Sequence, residues 1–214
     1  YDTVGRTIYA ADEPTVAFME MLAPYRTKVA DERRALQPMA DHLGIPLDDL
    51  WRDIVTDWDG AGNMKASWLP RQFREGRALY TLSFPQGWWI EIAASETIAA
   101  LHELFGGHWP TADGGIDGPL TLSHLTGDDR VLTTAIASRL RESTELDDGT
   151  LPLGVCFTSK HGHPSGGTGR CWAYWMRDSD NGLPEPTTVV SSSRISDGSE
   201  SFNEALELCK IRSR

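Results

Sequence analysis

Glu20 is the first residue whose setting suggests chemistry, because it is an acid inside the apolar run of the stretch RTIYAADEPTVAFMEML, residues 6–22. Its helical neighbours at three and four positions are Val16, Ala17, Ala23 and Pro24. None of them is a cation, so no ion pair within the helix can satisfy the carboxylate. A helix this apolar is normally buried, and a buried lone carboxylate is costly unless it has partners or a function. Two interpretations stay open: a functional acid, or a frayed helix end that leaves Glu20 in water.

Ser159 and Tyr9 are two further candidates, each at or near the end of a predicted strand. In LPLGVCFTSK the two-residue period places Leu153, Val155 and Phe157 on one face with Ser159. A small hydroxyl where the glycine-rich loop HGHPSGGTGRC begins favours a pocket, although a serine there can also bond the loop backbone. Tyr9 ends a short strand, where a tyrosine usually packs on the core with its hydroxyl at the rim.

A metal site is a weaker interpretation. Four zinc-type side chains lie close together in the sequence, namely Cys156, His161, His163 and Cys171. Their spacing matches no usual finger or ribbon pattern, and HELFGGH lacks the second histidine of a metalloprotease helix. The sequence also has no G-x-G-x-x-G, no Walker A lysine loop and no G-x-S-x-G elbow. We therefore expect no metal and no serine hydrolase of that kind.

Composition narrows the class of protein. The 214 residues carry a net charge of −11, which argues against DNA or RNA as the main partner, whereas local arginines can still hold a phosphate-bearing small molecule. The sequence has no apolar run of the roughly 18 residues that a membrane-spanning helix needs, and no signal peptide is visible. Three cysteines without a C-x-x-C pair favour a reducing compartment over a disulfide framework. We expect a cytoplasmic protein that does not bind membranes.

Hydrophobic periodicity predicts mixed strands and helices without strict alternation. RTIYAA, LPLGVCFTSK, RCWAYWMR and TTVVSS are typical of strands, and GRALYTLSF and GWWIEIAA predict two strands around a PQG turn. Helices are predicted over DEPTVAFMEMLAPY with Asp12 as N-cap, and over RTKVADERRALQ, PLDDLWRDIVTDW, SETIAALHELFG and DRVLTTAIASRLRE. The last helix, SFNEALELCKI, would carry a capping box of Ser201 and Glu204. This pattern favours an α+β domain with a largely antiparallel sheet.

Taken together, these segments resemble the RES-domain family, named for arginine, glutamate and serine. TIYAADEPTVAFMEML is similar to the family's strand and helix, with a tyrosine and, eleven residues later, a glutamate. DDGTLPLGVCFTSKHG resembles the segment that holds the serine, and CWAYW resembles the strand that follows it. The resemblance covers roughly residues 1–177. The family's arginine normally lies well upstream of the tyrosine, and only eight residues precede Tyr9 in this sequence.

The resemblance implies a single RES-like domain over residues 1–214, with a helical insertion at about 26–75. It implies a split, mainly antiparallel sheet flanked by helices, similar to the ADP-ribosyltransferase fold, with a cleft for NAD as substrate. Characterised members of the family are toxins that cleave NAD by hydrolysis or phosphorolysis and are silenced by an antitoxin with a helix-turn-helix domain. Transfer of ADP-ribose to a protein and an inactive interaction module stay open as alternatives.

The same resemblance assigns roles to five residues. Glu20 would stabilise the positive charge that develops on the ribose, and Tyr9 would hold the cationic nicotinamide ring. Ser159 would bind the substrate and orient Glu20. The expected phosphate ligands are Lys160 and, as a further candidate, Arg6.

Overall fold

The computed structural model describes residues 1–26, 29–61, 68–112, 115–116 and 118–213. Their contacts divide the chain into two compact units. The first unit contains residues 1–17 and 80–192, and the second contains residues 18–79 and 193–214. The boundary near the start of the chain falls inside a continuous helix.

The described residues form eight strands and ten α-helices. The strands are β1 Thr7–Ala11, β2 Trp68–Leu69, β3 Ala78–Ser83, β4 Trp89–Glu91, β5 Gly154–Thr158, β6 Arg170–Trp175, β7 Thr188–Arg194 and β8 Arg212–Ser213. The helices are α1 Pro14–Leu22, α2 Val29–Ala35, α3 Gln37–Leu43, α4 Leu47–Gly60, α5 Arg71–Glu75, α6 Ser95–Phe105, α7 Leu122–Thr126, α8 Arg130–Ser143, α9 Arg177–Asp180 and α10 Glu200–Cys209. The predicted α+β class is thus confirmed. None of the described helices is long and apolar enough to cross a bilayer.

The main sheet of the first unit has four strands in the order β1-β6-β5-β4. β6 pairs antiparallel with both β1 and β5, whereas β4 pairs parallel with β5. The register places Tyr9 opposite Ala173, and Ala173 opposite Val155. Since paired residues share a face, these three side chains lie on one side of the sheet, and Cys156 and Trp172 lie on the other.

The core of the first unit forms on the face that carries Val155 and Ala173. Strand residues there pack into one cluster with the apolar side of α8, namely Leu132, Ile136, Ala137 and Leu140. All four are buried, as three- and four-residue spacing predicts for an amphipathic helix. On this face Val155 and Phe157 lead toward the C-terminal end of β5. Ser159 lies at that end.

The second unit has its own core, in which α1 and α10 meet. Phe18 contacts Phe202 edge to face, with ring centroids 5.2 Å apart, and Leu22, Leu69 and Phe73 belong to the same cluster. The predicted helical insertion at 26–75 falls within this unit as α2 to α5 with the short strand β2. Residues 27–28 and 62–67 of that predicted insertion lie outside the described residues. The assignment of residues 1–214 to one domain stays a prediction.

Two predicted strands around the PQG turn do form, but they do not pair with each other. β3 pairs with β7, whereas β4 pairs with β5. Contacts next to β4 accompany this pairing. A Cβ at Gly87 would lie 2.8 Å from the Leu153 side chain, and the Leu153 N–H bonds the carbonyl of Trp88 at 2.8 Å. These contacts hold the segment before β4 against the segment before β5, so the predicted hairpin is wrong.

Two predicted helix caps also differ from the structure. α1 begins at Pro14, and the carboxylate of Asp12 instead accepts the indole N–H of Trp172 at 2.6 Å. The N-cap of α10 is Ser199, two positions before the predicted Ser201, so Ser201 and Glu204 form no capping box at the start of this helix. Both errors concern polar residues near the start of a helix, where several neighbouring residues can serve as the cap and the sequence does not rank them.

Candidate functional site

Tyr9 lies in the middle of β1 and its phenol contacts the start of the chain. The hydroxyl donates to the Asp2 carboxylate at 3.0 Å, and Asp2 also forms an ion pair with Arg130 at the first position of α8. Partial burial, followed by the negative charge of Asp2, raises the pKa of Tyr9 above its ordinary value. Tyr9 is therefore a neutral phenol at physiological pH, suited to donate a hydrogen bond or present a ring.

Ser159 directly follows β5 and is buried, with 5% of its surface exposed. Its backbone N–H donates to the carbonyl of Gly169 at 2.8 Å, and its Oγ accepts the N–H of His161 at 3.1 Å. The loop-bonding role that the sequence left open for this serine is thus present. The hydrogen bond between Ser159 and His161 shapes the first turn of the glycine-rich loop. It also fixes the Ser159 Oγ at the end of β5.

Lys160 follows Ser159 and forms an ion pair with Asp128, just before α8. The hydrogen bond from Lys160, followed by its charge, lowers the pKa of Asp128. The Asp128 side chain is 94% exposed, so the pair lies at the protein surface. A lysine in such a pair can exchange its carboxylate for another anion at little cost, because surface ion pairs contribute little to stability.

Arg6 lies at the opposite end of the same sheet. Its carbonyl accepts the N–H of Met176, whereas Ser159 bonds Gly169, seven residues earlier along the adjoining strand. At 3.3 Å per residue this is a separation of roughly 23 Å. The Arg6 guanidinium donates to Ser179 Oγ at 2.6 Å. The structure therefore does not bring Arg6 to Ser159 and Lys160, and one phosphate group cannot contact all three.

Glu20 lies on α1 in the part of the helix that belongs to the second unit. Neighbouring positions Phe18, Met19 and Leu22 are buried there, and Glu20 itself is half-buried. The expectation of a buried apolar helix with an acid on it is thus met. Tyr9, Ser159 and Lys160 belong to the first unit.

Sequence reasoning missed the charged and aromatic groups around Tyr9 and Phe157. Arg130 reaches Tyr9 through Asp2, and Tyr1 packs on Phe157 with ring centroids 5.2 Å apart. The partners are separated by 128 and 156 positions in the chain, so no local pattern could pair them. The one local hint for Arg130 is its position, because a cation at the first position of a helix is unusual.

The opposite face of the sheet carries a second polar group. The Cys156 thiol donates to Glu91 Oε2 at 3.3 Å, and the Arg170 guanidinium lies 3.5 Å from the same oxygen. Burial, followed by the hydrogen bond to Glu91, raises the pKa of Cys156 to about 12. The thiol is thus protonated at neutral pH.

The zinc interpretation is not supported by this geometry. Cys156 is opposite Trp172 and Phe157 is opposite Cys171, so the two cysteines lie on opposite faces of the sheet. Among the described residues no group of three histidine, cysteine, aspartate or glutamate side chains is arranged to hold a metal ion.

No protein-family model, curated protein or solved structure is significantly similar to this chain. The resemblance to the RES-domain family therefore stays a prediction that rests on the residues quoted above.

Proposed function

We propose that this chain is an NAD-consuming enzyme that cleaves the bond between nicotinamide and ribose. One observation supports it most: the register of β1, β6 and β5 places Tyr9 on the same sheet face as the row Val155, Phe157 that ends in Ser159. Lys160 lies at the same end of β5. The strand with the tyrosine leads into the helix that carries Glu20, in the order that the family resemblance implies.

The proposed fold is the split sheet of ADP-ribosyltransferases. The strand order β1-β6-β5-β4, with strands from both ends of the sequence side by side, is compatible with it. The likeness is part of the proposal, because the α+β class and the strand pairing are shared by other folds.

The chemistry proposed is loss of nicotinamide from the ribose carbon, with the bonding electrons leaving on the nicotinamide nitrogen. Positive charge then develops on the sugar, and the carboxylate of Glu20 would stabilise it, as in glycoside cleavage. Tyr9 would present its ring to the cationic nicotinamide. Ser159 would bind the substrate and Lys160 a phosphate. An oxygen of water or of inorganic phosphate forms the new bond to the ribose carbon.

The biological setting proposed is that of a toxin in a toxin–antitoxin pair. The partner would be an antitoxin with a helix-turn-helix domain, and the complex would act in the cytoplasm. The strong negative charge of the chain, −11, fits a protein that leaves DNA binding to its partner.

The test is incubation of the purified chain with NAD, with and without phosphate, followed by product analysis. Release of nicotinamide with ADP-ribose or its 1″-phosphate is expected, and Glu20→Ala should abolish it. If instead ADP-ribose appears on proteins, seen as added mass by mass spectrometry, the transferase alternative holds.

One observation favours the second candidate, an interaction module without catalysis. The Arg6 guanidinium donates to Ser179 at the end of the sheet opposite Ser159, so Arg6 does not supply the family's arginine at the proposed site. Absence of any NAD turnover, together with retained binding to a partner protein, would favour this candidate.

A further inference from the structure

Glu13 is an acid that neither the sequence motifs nor the proposed chemistry uses, and it is bound by the far end of the glycine-rich loop. Its Oε1 accepts the backbone N–H of Thr168 at 2.6 Å and that of Gly169 at 3.3 Å. The Thr168 hydroxyl lies 3.3 Å from the same oxygen. Two successive backbone N–H groups that converge on one anion form a nest, a backbone arrangement suited to bind negative charge.

The loop is shaped to let this carboxylate approach. A Cβ added to Gly167 would lie 2.2 Å from Glu13 Oε2, which is inside any permitted contact distance. Gly169 has φ +64, the left-handed conformation that glycine adopts without strain. Gly167 and Gly169 therefore let the loop backbone lie around the Glu13 carboxylate.

The same loop end also holds Ser159. The Gly169 N–H donates to the Glu13 carboxylate, and the carbonyl of Gly169 accepts the Ser159 N–H at 2.8 Å. Next along the chain, the Asp12 N–H bonds the carbonyl of Arg170 at 3.0 Å. A side chain at the start of α1 and the serine at the end of β5 are thus joined through residue 169.

Hydrogen bonds from the loop strengthen the ionised state of this acid. The backbone N–H of Thr168 lowers the pKa of Glu13, with further contributions from Gly169, the Thr168 hydroxyl and the His163 charge. At neutral pH the nest therefore holds a full negative charge. Hydrogen bonds to an ionised acceptor are stronger than those between neutral groups.

We propose that Glu13 is a positioning residue, whose carboxylate fixes the loop end at Thr168 and Gly169 and thereby sets the position of Ser159. The role in NAD cleavage rests on the function proposed above. The contact between Glu13 and the loop does not depend on the proposed function, because it is present in the protein without substrate.

Hydrogen exchange in the full chain without NAD directly tests whether Glu13 fixes the loop end. Glu13→Ala should speed exchange at the amides of Ser159, Thr168 and Gly169 by roughly tenfold or more, since local opening governs their protection. Glu13→Gln keeps one oxygen acceptor without the charge, so the exchange rates of these amides should lie between those of wild type and Glu13→Ala. Gly167→Ala should reproduce the Glu13→Ala pattern, because its methyl group displaces the carboxylate. The control is Glu142→Gln, which removes an exposed charge on α8 and should change none of these amides.

Kinetics then tests the positioning. In an active wild type, Glu13→Ala should lower kcat/KM for NAD by about tenfold or more, with Glu13→Gln intermediate and Glu142→Gln unchanged. Unchanged exchange at 159 and 168–169 in both Glu13→Ala and Gly167→Ala would overturn the proposal, whatever the wild type does with NAD. Faster exchange with unaltered kcat/KM would overturn the positioning role. A wild type without NAD turnover contradicts the proposed function instead, and the exchange pattern still decides whether Glu13 holds the Ser159 loop.

Discussion

Ser159 and Lys160 are neighbours in the sequence, yet their side chains have different surroundings. The serine is buried and bonds its own loop, whereas the lysine forms a surface ion pair with Asp128. A sequence pattern locates both at the end of a strand, but it does not reveal these partners. Asp128 lies 32 positions away, and nothing near it in the sequence points to Lys160.

The Lys160 pair gives a prediction at the level of one charge. If Lys160 meets a phosphate of NAD, Lys160→Ala should raise KM by roughly 10- to 100-fold, the equivalent of one charge-assisted hydrogen bond of about 1.5–3 kcal/mol. The matched variant Asp128→Asn frees the same lysine and should leave KM unchanged or lower. Steady-state kinetics with NAD measures both. An equal KM in Lys160→Ala and wild type would exclude this lysine from substrate binding.

The Cys156 thiol gives a prediction about pH. Its pKa is raised from 9.0 to about 12 in the folded protein, so between these values the unfolded chain loses a proton that the folded chain keeps. Ionisation then favours unfolding, and the free energy of unfolding should fall as pH rises from about 9 to about 12. Urea unfolding across this range should show a shallower fall in Cys156→Ala than in wild type. Equal slopes in the two proteins would contradict the shift, since other groups such as Tyr174 contribute alike to both.

Elements with a strong period were predictable from the sequence. The helices α4, α6 and α8 form where apolar residues recur at three and four positions, and Gly106 is the C-cap of α6 in the left-handed conformation. Strand pairing was not predictable, because it depends on contacts such as Gly87 against Leu153 that are distant in the sequence. The predicted hairpin failed for this reason.

Gly154 gives a prediction at the level of strand pairing. A Cβ at this position would lie 2.0 Å from the backbone oxygen of Ala173 and 3.0 Å from the Trp89 ring. A backbone atom of β6 cannot move away without breaking the ladder, so Gly154→Ala should lower the free energy of unfolding by about 3 kcal/mol or more. Gly60→Ala is the control, because nothing lies within 4 Å of its Cβ position. Chemical denaturation of both variants measures the difference, and a Gly154→Ala protein as stable as the control would contradict the described β5–β6 pairing.

The features least predictable from the sequence are those of the whole molecule, namely its division into units and the contacts between distant residues. Its α+β class follows from the mixture of patterns, but its division into two units does not. The second unit joins residues 18–79 with residues 193–214, and its core brings Phe18 against Phe202. Local patterns carry no information on such distant pairs, which depend on side-chain packing. The same limit applies to the site, since Asp2, Arg130 and Glu13 gain their partners only in the folded chain.

The central claim is cleavage of NAD, and product analysis of the full chain tests it most directly. Wild-type protein should release nicotinamide from NAD, leaving ADP-ribose in water and an ADP-ribose phosphate when phosphate is the acceptor. Glu20→Ala should release none, because the carboxylate expected to stabilise the sugar charge is gone. Nicotinamide release by Glu20→Ala at the wild-type rate, or no release by the wild type under either condition, would contradict the account.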